Sequence, residues 1–94
     1  MVKVIFVCTG NICRSPTAEG VFKKLVDEAG LTNTIHIMSA GISAYHVGEP
    51  PDRRSQEAAR QRGIDISLQR ARQVNVEDLR TVDYILAMDG GHLN

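Results

Sequence analysis

Lys3-Val4-Ile5-Phe6-Val7-Cys8-Thr9-Gly10-Asn11-Ile12-Cys13-Arg14-Ser15-Pro16-Thr17-Ala18-Glu19 is the stretch that decides the fold. Lys3 to Val7 is short, β-branched and almost continuously apolar, the pattern of a strand buried on both faces. Cys8 to Arg14 follows as a loop. Ser15, Pro16 and Glu19 then read as a helix start, with Ser15 as cap, Pro16 at the first helical position and an acid in the first turn. Val21, Phe22, Leu25 and Val26 recur at helical spacing, and Gly30 supplies a stop.

Outward from this unit the pattern repeats. Thr34 to Ser39 predicts a second strand, interrupted by Ala40-Gly41-Ile42. Ala44 to Asp52 holds Gly48 and Pro50-Pro51 and reads as a loop. Asp52 can cap a helix from Arg53 to Arg62, stopped by Gly63. Val76 to Leu79 predicts a short helix, and Val82 to Met88 a third strand. Asp89 to Asn94 reads as the opening of a further element. Strands and helices in alternation predict an α/β fold: a three-layer, Rossmann-like parallel sheet flanked by helices, in a single domain over residues 1–94.

With 94 residues the chain suffices for one small domain, and 43% apolar residues with only 4% aromatic predict a largely aliphatic core. Eleven basic and eleven acidic residues balance, which argues against a nucleic-acid binder. Six arginines between Arg53 and Arg72 face only Glu57 and Asp65, a bias read as a solvated face. No apolar stretch is long enough for a signal peptide or membrane span, and two close cysteines do not make a secreted disulfide framework. The expectation is a cytoplasmic protein that does not bind membranes.

Cys8 and Arg14 bracket five residues, so one loop can hold a thiolate and a guanidinium fork around one oxyanion. Loop amides and a helix N-terminus add positive potential beside the sulfur. Gly10 lets amides turn inward, Asn11 tolerates a left-handed backbone, and Ser15 offers a hydroxyl to the sulfur. A nucleotide-binding loop would need a lysine before its serine, and none is present. Cys8, Cys13, His36, His46 and His92 show no metal-ligand spacing, so neither metal nor cofactor is expected.

Val7 to Gly20 resembles the signature of the low-molecular-weight protein tyrosine phosphatases. The likeness extends through Ser39-Ala40-Gly41, Gly48 to Asp52, Ala71-Arg72-Gln73 and Tyr84 to Asp89. It implies a phosphotyrosine phosphatase in which Cys8 is the nucleophile and forms a phosphocysteine, while Arg14 binds phosphate and stabilises the transition state. The phosphate loop would comprise Cys8, Thr9, Gly10, Asn11, Ile12, Cys13, Arg14 and Ser15. Asn11 would hold the loop through partners that include Ser39. Tyr45 would form the aromatic wall against the substrate ring, and Cys13 would trap an oxidised nucleophile as a disulfide. The implied partners are a phosphotyrosine protein or a small aryl phosphate, and inorganic phosphate or other oxyanions.

Some residues depart from the pattern. The family's Asp-Pro pair, whose aspartate protonates the leaving oxygen, does not occur: Pro16 follows Ser15, Pro50 follows Glu49 and Pro51 follows Pro50. The expectation is a C-terminally shortened member without the family's last strand and helix, impaired in turnover, with a tendency to dimerise through its exposed sheet edge. Glu49 and Asp52 are weak surrogate acids. Asp52-Arg53-Arg54 stands where the family often has Asp-Pro-Arg, and Gln69 stands where it commonly has a histidine that supports the loop. The alternatives are a non-catalytic phosphate or phosphopeptide binder and a strand-swapping fragment. An arsenate reductase would need redox cysteines after Cys13. Arginine phosphatases of this fold tend to carry threonine where this chain has Ile12.

Overall fold

A strand apolar on both faces belongs at the centre of a sheet, and β1 (Val2–Cys8) takes that place. The computed structural model describes residues 1–88. The element order is β1, α1 (Arg14–Glu28), β2 (Ile35–Gly41), α2 (Arg53–Gln61), α3 (Val76–Thr81) and β3 (Tyr84–Ala87). The three strands are parallel in the order β2-β1-β3. Register runs from Val2 against Ile35 to Cys8 against Gly41, and from Val4 against Tyr84 to Val7 against Ala87.

The two faces of β1 build two cores. Val4 and Phe6 pack with Ile37 and with Val26 and Phe22 of α1. Ile5 and Val7 pack on the other side with Ala40, Met38, Val74 and Val82. α1 lies against β1 and β2 with α2 beside it. The opposite layer is thin: Val74 and Val82, which bracket α3, reach the core, whereas α3 buries no residue of its own.

Helix ends follow local chemistry. After α1, Gly30 takes φ 72°; its amide bonds Asp27 O and that of Leu31 bonds Val26 O. After α2, Gly63 takes φ 77°, with matching bonds from Gly63 to Arg60 and Ile64 to Ala59. Both are Schellman ends, in which a left-handed residue satisfies the last carbonyls. Asp52 caps α2 through Arg54 N at 3.0 Å, as expected, and Asn75 with Asp78 forms a capping box on α3.

Several boundaries differ from the sequence expectation. β1 gains Val2 and Cys8, and β2 runs two residues beyond Ser39 because Ala40 and Gly41 remain paired with Val7 and Cys8. β3 is shorter than Val82–Met88, since its ladder with β1 ends at Val7 and Ala87. Asp83 anchors its start, accepting Lys3 N at 2.7 Å. α2 stops at Gln61. Ser15 does not cap α1: the helix begins at Arg14 with Cys13 before it and no side-chain cap, and Pro16 falls within the first turn. Proline is tolerated there because first-turn amides have no helical partner. The element read at Asp89–Asn94 lies outside the described residues.

β3 is exposed along its length, so its side chains add little to stability. Ile5→Ala, at a fully buried position, is expected to cost about 2–5 kcal/mol in denaturant unfolding. Ile85→Ala, at a position 51% exposed, should cost less than about 1 kcal/mol in the same assay.

Candidate active site

Cys8 ends β1 at the bottom of the loop and is 4% exposed. Its sulfur accepts Asn11 N–H at 3.1 Å and lies 2.9 Å from Ser15 Oγ. Asn11 is the one described non-glycine residue with positive φ, 58°. That conformation costs an L-residue about 1 kcal/mol or more, least for Asn and Asp. Here it turns the Asn11 amide toward the sulfur.

A directed chain of hydrogen bonds runs behind the loop from Glu19 to Ser15. Glu19, buried and paired with Lys23 Nζ at 2.6 Å, accepts the only proton of the Ser39 hydroxyl. Ser39 Oγ therefore accepts from Asn11 Nδ2, at 3.0 Å. This orients the amide, so Asn11 Oδ1 accepts Arg72 N–H at 3.0 Å. The second Nδ2 proton goes to Ser15 Oγ at 2.8 Å. Ser15 Oγ, which keeps a second lone pair and its own proton, shares a hydrogen bond of 2.9 Å with Cys8 Sγ. The buried sulfur thus has an amide donor and a hydroxyl partner. Ser15, read from the sequence as a cap, serves the sulfur instead.

The loop is tied on its other sides by backbone bonds: Ile42 N to Cys8 O, Ser43 N to Thr9 O, and Asp52 N to Ile12 O. Gly41 admits no side chain, because a Cβ there would stand 2.9 Å from Gly10 C and 3.0 Å from Asn11 N. A Cβ on Gly10 would likewise meet the His46 ring at 2.8 Å. Arg72, whose amide holds Asn11, is itself fixed by a bidentate pair with Asp78 at 2.9 and 3.0 Å.

The remaining expected residues lie at the rim. Arg14 is exposed; its Nη1 donates to Met88 O at 3.0 Å, leaving the rest of the fork without an acceptor among the described residues. Cys13 is exposed, unlike Cys8, and opens with Arg14 onto an apolar groove of about 880 Å3 that also touches Phe22, Asp52, Arg54 and Met88. Tyr45 is 83% exposed, its ring edge-on to His46 at 4.9 Å. Glu49 pairs with His46 at 3.1 Å, and Asp52 is occupied as the cap of α2. Gln69 supports the first turn of α1 through Pro16 O at 3.0 Å, while its buried Oε1 meets no donor among the described residues. No cluster of three or more metal-ligating side chains occurs among the described residues.

Glu19, Gly41, Arg72 and Asp78 were not singled out as site residues by the sequence reading. Glu19 had a signal, four residues after Ser15 on one helical face. Arg72 had only its place in the Ala71-Arg72-Gln73 likeness, because it acts on Asn11 through its backbone amide.

The chain matches the family described as low molecular weight phosphotyrosine protein phosphatase over residues 3–94. The Bacillus subtilis low molecular weight protein-tyrosine-phosphatase YfkJ is 47% identical over 99% of this chain and 60% of its own length. The human low molecular weight phosphotyrosine protein phosphatase is 49% identical over 96% of this chain and 56% of its own. The crystal structure of YfkJ superposes with a TM-score of 0.92, covering 99% of this chain and 58% of that one. A protein tyrosine phosphatase from Entamoeba histolytica, solved with Hepes in its active site, gives 0.91 at 41% identity, covering 97% and 58%. The chain thus spans between half and two thirds of the length of these relatives.

Two variants test the architecture of the loop. Gly41→Ala should push the loop off its seat at a cost of about 1–3 kcal/mol and weaken phosphate binding, measured by calorimetry, with far-UV dichroism unchanged. The hydrogen bonds from Arg72 hold the Asp78 carboxyl below the usual carboxylate range. This stabilisation is fully present above the unfolded carboxyl value of about 3.9 and is lost as pH falls through the lower folded value. Asp78→Asn should therefore cost about 1–2 kcal/mol at neutral pH, and the difference from the unmodified chain should vanish in acid unfolding below that window.

Proposed function

This chain belongs to the low molecular weight phosphotyrosine protein phosphatase family, and from that premise we propose that it hydrolyses aryl phosphate monoesters, phosphotyrosine in proteins among them, through Cys8. The observation that carries the proposal is the buried Cys8 sulfur, which accepts Asn11 N–H and shares a hydrogen bond with Ser15 Oγ beside the start of α1. In this reading the Cys8 thiolate attacks phosphorus in line with the ester oxygen. The S–P bond forms and the P–O bond breaks, its electron pair leaving with the aryl oxygen. Arg14 leaves Met88 O to grip two phosphoryl oxygens, and the loop amides take the charge that develops on them. Water then attacks the phosphocysteine, the S–P electrons return to sulfur, and the same two groups receive the thiolate. Tyr45 would flank the aromatic ring, and Cys13 would close a disulfide with an oxidised Cys8.

The aryl oxygen needs a proton unless its phenol is acidic. The 94 residues contain no Asp-Pro pair, and the carboxylates of Glu49 and Asp52 already have partners in His46 and Arg54 N. Positioned acid catalysis contributes roughly 10²–10⁴-fold. For these residues alone, turnover should therefore fall steeply as leaving-group pKa rises across a series of aryl phosphates. A flat series, with phosphotyrosine as good as the activated esters, would show that a residue of this chain supplies the proton.

Binding is tested apart from turnover. Phosphate or vanadate should protect Cys8 from iodoacetate in the unmodified chain. Arg14→Ala should remove that protection and Arg14→Lys most of it, because an ammonium cannot make the forked contact. Equal protection in all three would overturn the assignment of Arg14.

A further inference from the structure

Behind the loop, between α1, β2 and the segment 69–72, lies a second cavity of about 280 Å3. Its walls include Lys23, His36, Arg70 and Arg72, with Glu19 as the sole carboxylate and Ser39 beside it. We propose that this cavity is a second oxyanion site, separate from the Cys8 loop, that takes a phosphate group. The proposal does not depend on Cys8 being catalytic.

Charge decides the class of ligand. Three basic residues, Lys23, Arg70 and Arg72, and one acid, Glu19, line a cleft of mixed polar and apolar walls, a balance that disfavours cations and gives an apolar molecule little to bury against. Two cations have carboxylates already: Lys23 with Glu19, and Arg72 with Asp78. Arg70 has none among the described residues. Its Nη1 bonds only the carbonyls of Ser67 and Gln69, at 2.8 and 2.7 Å, which places the guanidinium without neutralising it. His36 is exposed on the adjoining strand and adds a further donor. An oxyanion with several acceptor oxygens can take Arg70, a free Lys23 proton and the imidazole together.

The site shares a wall with the machinery of the loop. Lys23 holds Glu19, which orients Ser39, which orients Asn11. An anion in the cavity competes with Glu19 for Lys23, so occupancy bears on the bond chain that ends at the Cys8 sulfur.

The test separates the two sites by silencing the loop. In Arg14→Ala, titration with inorganic phosphate should still show one saturable site, with His36 imidazole resonances shifting on binding. Adding Arg70→Ala should weaken that site by roughly tenfold or more, the usual effect of losing a charged hydrogen-bond donor. Arg70→Ala alone, an exposed change expected to leave the fold intact by dichroism, should keep phosphate protection of Cys8. Methyl phosphate in place of phosphate distinguishes a free ion, which it would then not replace, from a phosphoryl group on a small molecule, for which it would. No saturable site in Arg14→Ala, or a site that Arg70→Ala leaves unchanged, would overturn the proposal. Loss of loop protection in Arg14→Ala reports separately on the Cys8 reading.

Discussion

Everything at the loop depends on the side-chain amide of Asn11. A left-handed residue in a tight loop is costly for any side chain but glycine, and asparagine is among the cheapest alternatives. Here the amide makes three bonds, to Ser15, Ser39 and the Arg72 amide, and these hold the conformation. Glycine could adopt the same φ of 58° but could not tie the turn to β2 and to the segment before α3. The same turn brings Asn11 N–H to the Cys8 sulfur, so backbone strain and sulfur chemistry have one cause.

Two ion pairs stand outside this amide and keep it aligned. Lys23 with Glu19 governs the Ser39 arm, and Arg72 with Asp78 the backbone arm. Both reach the loop indirectly: Glu19 from the second turn of α1, and Asp78 from a capping box in a helix that buries nothing. The thin layer around α3 therefore matters less for its core than for seating Arg72. The sheet contributes position: β1 delivers Cys8, and β2 delivers Ser39 and the side-chain-free Gly41 against the loop.

The parts legible in the sequence were those in which residue type carries the physics. The doubly apolar run Lys3 to Val7 announced a central strand, Asn11 a left-handed turn, Asp52 a cap, and Gly30 and Gly63 the helix ends. Ser15 was legible as a partner of the sulfur and misleading as a cap, because the helix already begins at Arg14 and places Ser15 inside its first turn. The role of Arg72 was illegible because its direct contact with Asn11 is a backbone amide, which residue type does not announce. Gly41 read as a strand breaker, although its meaning lies in a backbone that passes close to it from a segment thirty residues away. Exposure along β3 agrees with the exposed sheet edge expected from the sequence, although Tyr84, Ile85 and Leu86 have the composition of a buried strand.

The central claim is that the Asn11 amide, rather than the loop sequence as such, gives the Cys8–Arg14 loop its shape. The most direct measurement is phosphate protection of Cys8 against alkylation in Asn11→Ala, with dichroism to confirm the fold. The account predicts that protection is lost while secondary structure stays, and that Asn11→Gly, which keeps the backbone option but not the three bonds, fails nearly as badly. Protection equal to that of the unmodified chain in Asn11→Ala would contradict it.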